Sequence, residues 1–123
     1  MSERTRFERA DPILRVEDMA RSLRYYTDIL GFTSADWGTD DFTCVTRDGA
    51  SIYLCARDQG QPGTWVWIGV DDVEDLYREL SERGATFAHE PRNYPWAYEM
   101  KVLDPDGHVL RFGSGPRDDI PFE

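Results

Sequence analysis

Catalysis needs side chains that move protons, attack carbon or hold metals, and this chain has few of them. Its only histidines are His89 and His108, and neither has a carboxylate at the helical or strand spacing that would orient a general base. Both read as surface or turn residues. Its two cysteines, Cys44 and Cys55, are too few for a disulfide framework and read as buried thiols. Asp71-Asp72 pairs two carboxylates, but at a helix start, where they serve the cap and the dipole. The glycines mark turns, caps and a linker, so no phosphate-cradling loop is present.

What the residues offer instead is stacking surface beside negative charge. Trp65 and Trp67 lie two apart, so in a strand they share a face. Two large indoles on one face, each with an N–H needing a partner, suit a wet ligand-accepting wall better than a dry core. Trp96 follows Tyr94-Pro95 in a loop-like stretch and reads as a lid. Phe42 follows Asp40-Asp41, which makes an aromatic plate flanked by acids. A flat heteroaromatic ligand with a cationic tail would use both features. The formal net charge of −10 points the same way: such a field repels nucleic acid and concentrates cations.

These residues must be positioned by one domain, since 123 residues make one substantial core and not two. No apolar run approaches the roughly 20 residues that span a bilayer. The mixed-charge start Met1-Ser2-Glu3-Arg4 leads into no apolar stretch, so a cytoplasmic location and no membrane partner are expected. The first half predicts a strand at 12–16, a helix capped by Asp18 and closed by Gly31, and strands at 32–37, 42–47 and 51–56. Met19, Leu23, Tyr26 and Leu30 form the helix's apolar stripe. Asp48-Gly49 is a two-residue hairpin turn. That turn sets Cys44 opposite Tyr53 and Phe42 opposite Cys55, all on one face, with the thiols diagonal and poorly placed to bond.

After a Gly-, Gln- and Pro-rich linker at 58–63, the second half repeats the order. A strand at 64–70 precedes a helix from the Asp72 cap to Gly84, then strands at 86–89, 97–103 and 108–112. Pro105-Asp106-Gly107 turns the last two, and the polar tail 114–123 is expected on the surface. The expected fold class is α+β: tandem βαβββ modules at about 10–57 and 64–113, each a four-stranded, mostly antiparallel sheet. A helix covers one face of each sheet, and the other stays open and concave. Val66 and Ile68 should face the helix, leaving Trp65 and Trp67 on the concave side.

This doubled pattern, with Leu30-Gly31-Phe32 after the first helix and Asp104-Pro105-Asp106-Gly107-His108 before the last strand, resembles the glyoxalase/bleomycin-resistance/dioxygenase superfamily. Within it, Asp40–Val45, Thr64–Ile68 and Tyr94–Glu99 resemble the bleomycin-resistance proteins, small acidic homodimers that sequester the drug without turnover. The resemblance implies metal ligands in the metal-dependent members at four strand positions, here Asp11, Tyr53, Trp65 and Arg111. Trp and Arg cannot coordinate a divalent cation and neutral Tyr is a poor ligand, so no metal and no cofactor are expected. Pro12 reads either as an ordinary strand start or, as the resemblance implies, as the mark of a first strand exchanged between subunits. The expected function is reversible sequestration of a bleomycin-type glycopeptide by a homodimer with clefts near its interface. Phe42, Trp65 and Trp96 would stack, Tyr53 and Trp67 would shape the wall, and Asp36, Asp40 and Asp41 would draw positive charge. The alternatives are a metal-free binder of another aromatic or cationic small molecule, or a metal-dependent lyase or dioxygenase.

Overall fold

The computed structural model describes residues 4–123. Its elements run β1 (Ile13–Arg15), α1 (Met19–Arg24), β2 (Thr33–Ser34), β3 (Phe42–Arg47), β4 (Ala50–Cys55), β5 (Trp65–Gly69), α2 (Val73–Arg83), β6 (Thr86–Tyr94), β7 (Ala97–Leu103) and β8 (Val109–Ser114). They form two four-stranded sheets, ordered β1-β4-β3-β2 and β5-β8-β7-β6. In each, the module's first strand pairs parallel with its last and the other ladders are antiparallel. The fold is thus α+β, with the same topology in both halves. One face of each sheet packs on its helix to bury Leu14, Val45, Ile52 and Leu54 in the first half and Met100, Val102, Leu110 and Phe112 in the second. The opposite faces stay open.

Both helices start as the sequence requires. The Asp18 carboxylate accepts from the Arg21 N–H, and Asp72 accepts from Asp75 N–H. The first helix departs from the expected single α-helix: Tyr25–Ile29 form a π-helical turn. With this wider turn, the consecutive Tyr25 and Tyr26 hydroxyls both reach the second half, at the Leu103 carbonyl (2.7 Å) and the Asp104 carboxylate (2.8 Å). The expected strand at 32–37 shrinks to Thr33–Ser34, because residues 35–41 turn back on themselves through Ala35 N–H to Cys44 O and Thr39 N–H to Phe42 O. Strand β6 runs longer than expected, to Tyr94, through two register shifts against β7.

The two halves are locked by the turn that carries Asp104-Pro105-Asp106-Gly107-His108. Asp104 accepts from the backbone N–H groups of Asp106 and His108 and from the Tyr26 hydroxyl. Burial pushes its carboxyl above the ordinary aspartate range, against the pull of those donors. Asp106 accepts from Glu17 N–H, Arg21 Nη2 and Ser22 Oγ at the start of α1. His108 sits in the turn as expected, but it is fully buried and not at the surface. The Thr64 N–H donates to its Nδ1 (2.9 Å), so Nε2 carries the proton and donates to the Arg15 carbonyl (2.6 Å). One imidazole thereby joins the ends of β1 and β5 to the start of β8. A second latch runs from Arg47, bidentate to Glu79 of α2 and bonded to the Leu30 carbonyl.

Gly60 lets the linker lie against β1. A Cβ there would sit 2.7 Å from the Ile13 carbonyl oxygen and 2.8 Å from Arg15 N, and its φ is 82°. The tail lies on the surface, as expected, and is tied down there. Buried Asn93 donates to the Arg117 and Ile120 carbonyls and accepts from Arg117 N–H, which folds the tail back onto the second sheet.

Tyr26→Phe removes one donor from buried Asp104 and one contact between the halves. Its unfolding free energy in urea should fall by about 1–3 kcal/mol with an unchanged far-ultraviolet circular dichroism spectrum. An unaltered urea midpoint would show that this bond contributes nothing to the lock.

Candidate functional site

The open faces carry the chemistry, and strand alternation decides what lies on them. On the first sheet, register pairs Phe42 with Cys55 and Cys44 with Tyr53, and Tyr53 with Ile13 of β1. Cys44 and Cys55 are buried, free thiols. Phe42 stacks on Tyr53 with centroids 5.4 Å apart and planes 20° apart, and Trp37 stacks on Phe42 at 6.3 Å and 28°. This three-ring ladder is capped by the loop 35–41, whose shape is held by Thr39 Oγ1 accepting from Asp41 and Phe42 N–H. Asp36, Asp40 and Asp41 project from that loop into solvent, with Asp41 in an exposed ion pair with Arg57 at 3.3 Å.

On the second sheet, Val66 and Ile68 pack on the core while Trp65 and Trp67 are 58% and 49% exposed. The Trp67 indole lies across the paired Gly69 and Gly113, and a Cβ on Gly113 would clash with its Cη2 and Cζ3 atoms, the latter 2.8 Å away. The plate lies flat because those two register positions have no side chains. Trp96, 64% exposed, stacks on Tyr94 at 4.7 Å with planes 4° apart, and its Nε1 donates to Glu99 Oε1 (2.9 Å). Glu99 is 1% exposed and is gripped bidentately by Arg111 at 2.8 and 2.9 Å. The guanidinium holds that carboxyl below its ordinary range, with burial opposing it. Two cations lie over the strand tryptophans: Lys101 Nζ 5.0 Å from the Trp65 ring and the Arg111 guanidinium 5.1 Å from Trp67.

The residues singled out in the sequence therefore fall into two groups. Phe42, Tyr53, Asp36, Asp40 and Asp41 gather on the first sheet, and Trp65, Trp67 and Trp96 on the second. Among the described residues no β-ladder joins the two sheets. The acids flank aromatics only on the first sheet. On the second, the aromatic plates are accompanied by Lys101 and Arg111, which pattern reading missed as wall residues. Trp37 was missed because it was placed in a strand. The basic pair could have been found from the Asp104–His108 turn, which sets Lys101 opposite Arg111. A groove of about 770 Å³ lies apart from the ladder, between α2 and the β3–β4 hairpin; of the residues expected to touch ligand only Trp67 borders it, along with Asp11, Pro12 and Asp71-Asp72.

The family model for the glyoxalase/bleomycin resistance protein/dioxygenase superfamily matches residues 7–112, and the chain belongs to that superfamily. Among solved structures, it is similar to a bleomycin-binding protein from Streptomyces verticillus, solved with copper(II)-bleomycin. The two are 27% identical with a TM-score of 0.78, over 91% of this chain and 99% of that one. It shares its fold with a glyoxalase/bleomycin resistance protein/dioxygenase from Nocardioides, at 20% identity and a TM-score of 0.72, over 98% of this chain and 91% of that one. A 60-residue stretch is 38% identical to part of the LexA repressor of Paramagnetospirillum magneticum, covering 49% of this chain. The chain spans only a quarter of that repressor's length.

The positions that metal-dependent members use do not fit a metal here. Trp65 and Arg111 supply no lone pair to a cation, Arg111 is already bound to Glu99, and Asp11 is paired with Arg9 at 3.0 Å.

Two outcomes follow. Gly113→Ala should tilt the Trp67 ring off the sheet, shift the tryptophan emission and lower stability by about 1–3 kcal/mol; an unchanged spectrum would contradict the flat-plate geometry. Arg111 depresses the Glu99 carboxyl and Arg47 the Glu79 carboxyl. Their stabilisation is therefore present above the ordinary value of 4.5 and is lost as pH falls through the lower folded values. Denaturant unfolding across that range should show falling stability on acidification, with a shallower fall in Glu99→Gln. Equal slopes in the two proteins would contradict the Glu99 part.

Proposed function

We propose that this protein binds a bleomycin-type glycopeptide antibiotic reversibly and without turnover, as a homodimer whose clefts lie at or near the subunit interface. The observation that carries the reading is the set of rigid, solvent-facing aromatic plates on the two open sheet faces. Each is fixed before any ligand arrives: Phe42 by its ring neighbours, Trp67 by the paired glycines, Trp96 by Tyr94 and Glu99. Preorganised planes lose little conformational entropy on stacking against a flat ligand. The relative from Streptomyces verticillus, whose structure contains copper(II)-bleomycin, supports the choice of ligand class.

Trp65 and Trp96 stack on the planar part of the ligand, Phe42 joins them through the exposed Trp37 ring stacked on it, and Tyr53 and Trp67 shape the wall. Asp36, Asp40 and Asp41, exposed on one loop beside the ladder, attract a cationic tail. Such charges mainly raise the association rate and its salt dependence. The proposed dimer follows from the openness of both faces. Trp37, Trp65, Trp67 and Trp96 lie exposed in one chain, and an N-half facing a partner's C-half would close a cleft over them.

Titrating metal-free bleomycin into the protein should quench tryptophan fluorescence saturably, and added salt should weaken the binding. Phe42→Ala should weaken it by about tenfold or more, the equivalent of about 1.4 kcal/mol. A flat titration at high drug concentration sinks the antibiotic reading, and saturable quenching by other planar aromatics alone assigns the site to a different small molecule.

A further inference from the structure

The open face of the second sheet carries one row across all four strands. Trp67 of β5 is registered with Arg111 of β8, Arg111 with Lys101 of β7, and Lys101 with His89 of β6. The next row reads Gly69, Gly113, Glu99 and Arg92. Within these two rows of a strongly acidic chain, Arg92, Lys101 and Arg111 outnumber the one registered carboxylate, Glu99.

Like charges in direct cross-strand register cost folding free energy, and Lys101 and Arg111 are such a pair. Glu99 offsets both charges, but it bonds directly only to Arg111 and Trp96, and Lys101 acts on it only through its field. Lys101 makes no ion pair or hydrogen bond among the described residues, and its Nζ rests over Trp65. The Arg111 Nη1 likewise has no protein acceptor, since Glu99 engages Nε and Nη2. Beside them, His89 Nδ1 lies 2.7 Å from the Glu90 carbonyl and can meet it only as a donor. In the neutral ring its Nε2, buried without a partner among the described residues, is then an acceptor and offers an anion nothing, so the donors of this row are Lys101 and Arg111.

We infer that this row is an anion subsite beside a stacking plate, and that it takes the carboxylate, sulfonate or phosphate of an aromatic ligand. The inference rests on the reading of the open faces as a ligand wall, but not on the antibiotic. Lys101 supplies a mobile point charge and Arg111 Nη1 a fixed donor, while the outer surfaces of Trp65 and Trp67 receive the ring. The two open faces then select opposite charges: the acidic loop at 36–41 draws a cation, and the Lys101 row draws an anion. Ligands carrying both ends of charge around a planar centre fit this pair of faces best.

The test is calorimetric titration of the full chain with three probes sharing one ring system: 2-naphthalenesulfonate, 2-naphthol and 2-naphthylmethylammonium. The sulfonate should bind about tenfold or more tightly than the naphthol, and its affinity should fall as salt rises. Lys101→Met keeps the stem's packing and removes the charge. It should weaken the sulfonate by about tenfold and leave the naphthol within about twofold. Equal affinity for sulfonate and naphthol, or an unaffected sulfonate in Lys101→Met, would each overturn the inference. If Lys101→Met changes the sedimenting mass but not sulfonate binding, the row is a contact between copies and the inference is likewise wrong. Sulfonate selectivity together with a flat bleomycin titration would refute the antibiotic and keep the subsite.

Discussion

Everything on the open faces depends on how the Asp104–His108 turn docks on the first helix. Each module alone is a twisted sheet with one helix, and its second face needs company. The turn supplies the fixed relation between modules through two carboxylates and one imidazole. Asp104 is saturated by Tyr26 and two backbone N–H groups, Asp106 by Glu17, Arg21 and Ser22, and His108 by Thr64 and Arg15. Buried polar groups so fully partnered are costly to disturb and specify one arrangement. The turn is also the hairpin connection of β7 and β8, so the element that joins the halves also sets the register of Glu99, Lys101 and Arg111.

From that register the second face acquires its character. Arg111 occupies a position that the superfamily resemblance assigns to a metal ligand, and its guanidinium instead binds Glu99 and covers Trp67. Glu99 in turn holds the Trp96 indole N–H. A chain of charge-assisted bonds thus takes the place of metal coordination in organising this wall. The plates need no rearrangement to accept a ring. The first face reaches a similar end by another route, with three stacked rings and a loop folded over by Thr39.

Much of this was legible in the sequence, where local rules and register coincide. The Asp18 and Asp72 caps, the Asp48-Gly49 turn and the Trp65/Trp67 alternation each follow from a short-range rule, and each element stands as read. What was not legible depends on long-range contacts. The burial of His108 was hidden because its two partners lie 44 and 93 residues away. The π-helical turn leaves no mark in an apolar pattern that repeats every three or four residues. Trp37 was read as strand because β-propensity cannot see the loop that lifts it onto Phe42. The positive character of the second face was hidden by the net charge, which averages over surfaces that differ in sign.

The central claim is that ligand meets protein on the two aromatic faces and not in the groove beside α2. The most direct measurement is a titration followed by nuclear magnetic resonance, with metal-free bleomycin as ligand and the tryptophan indole and backbone N–H signals as probes. The account predicts shifts at Trp37, Trp65, Trp67 and Trp96 and in the loop 36–42, while Asp72, Asp75 and Leu80 stay still. Shifts confined to the α2 groove, or none at saturating ligand, would contradict it.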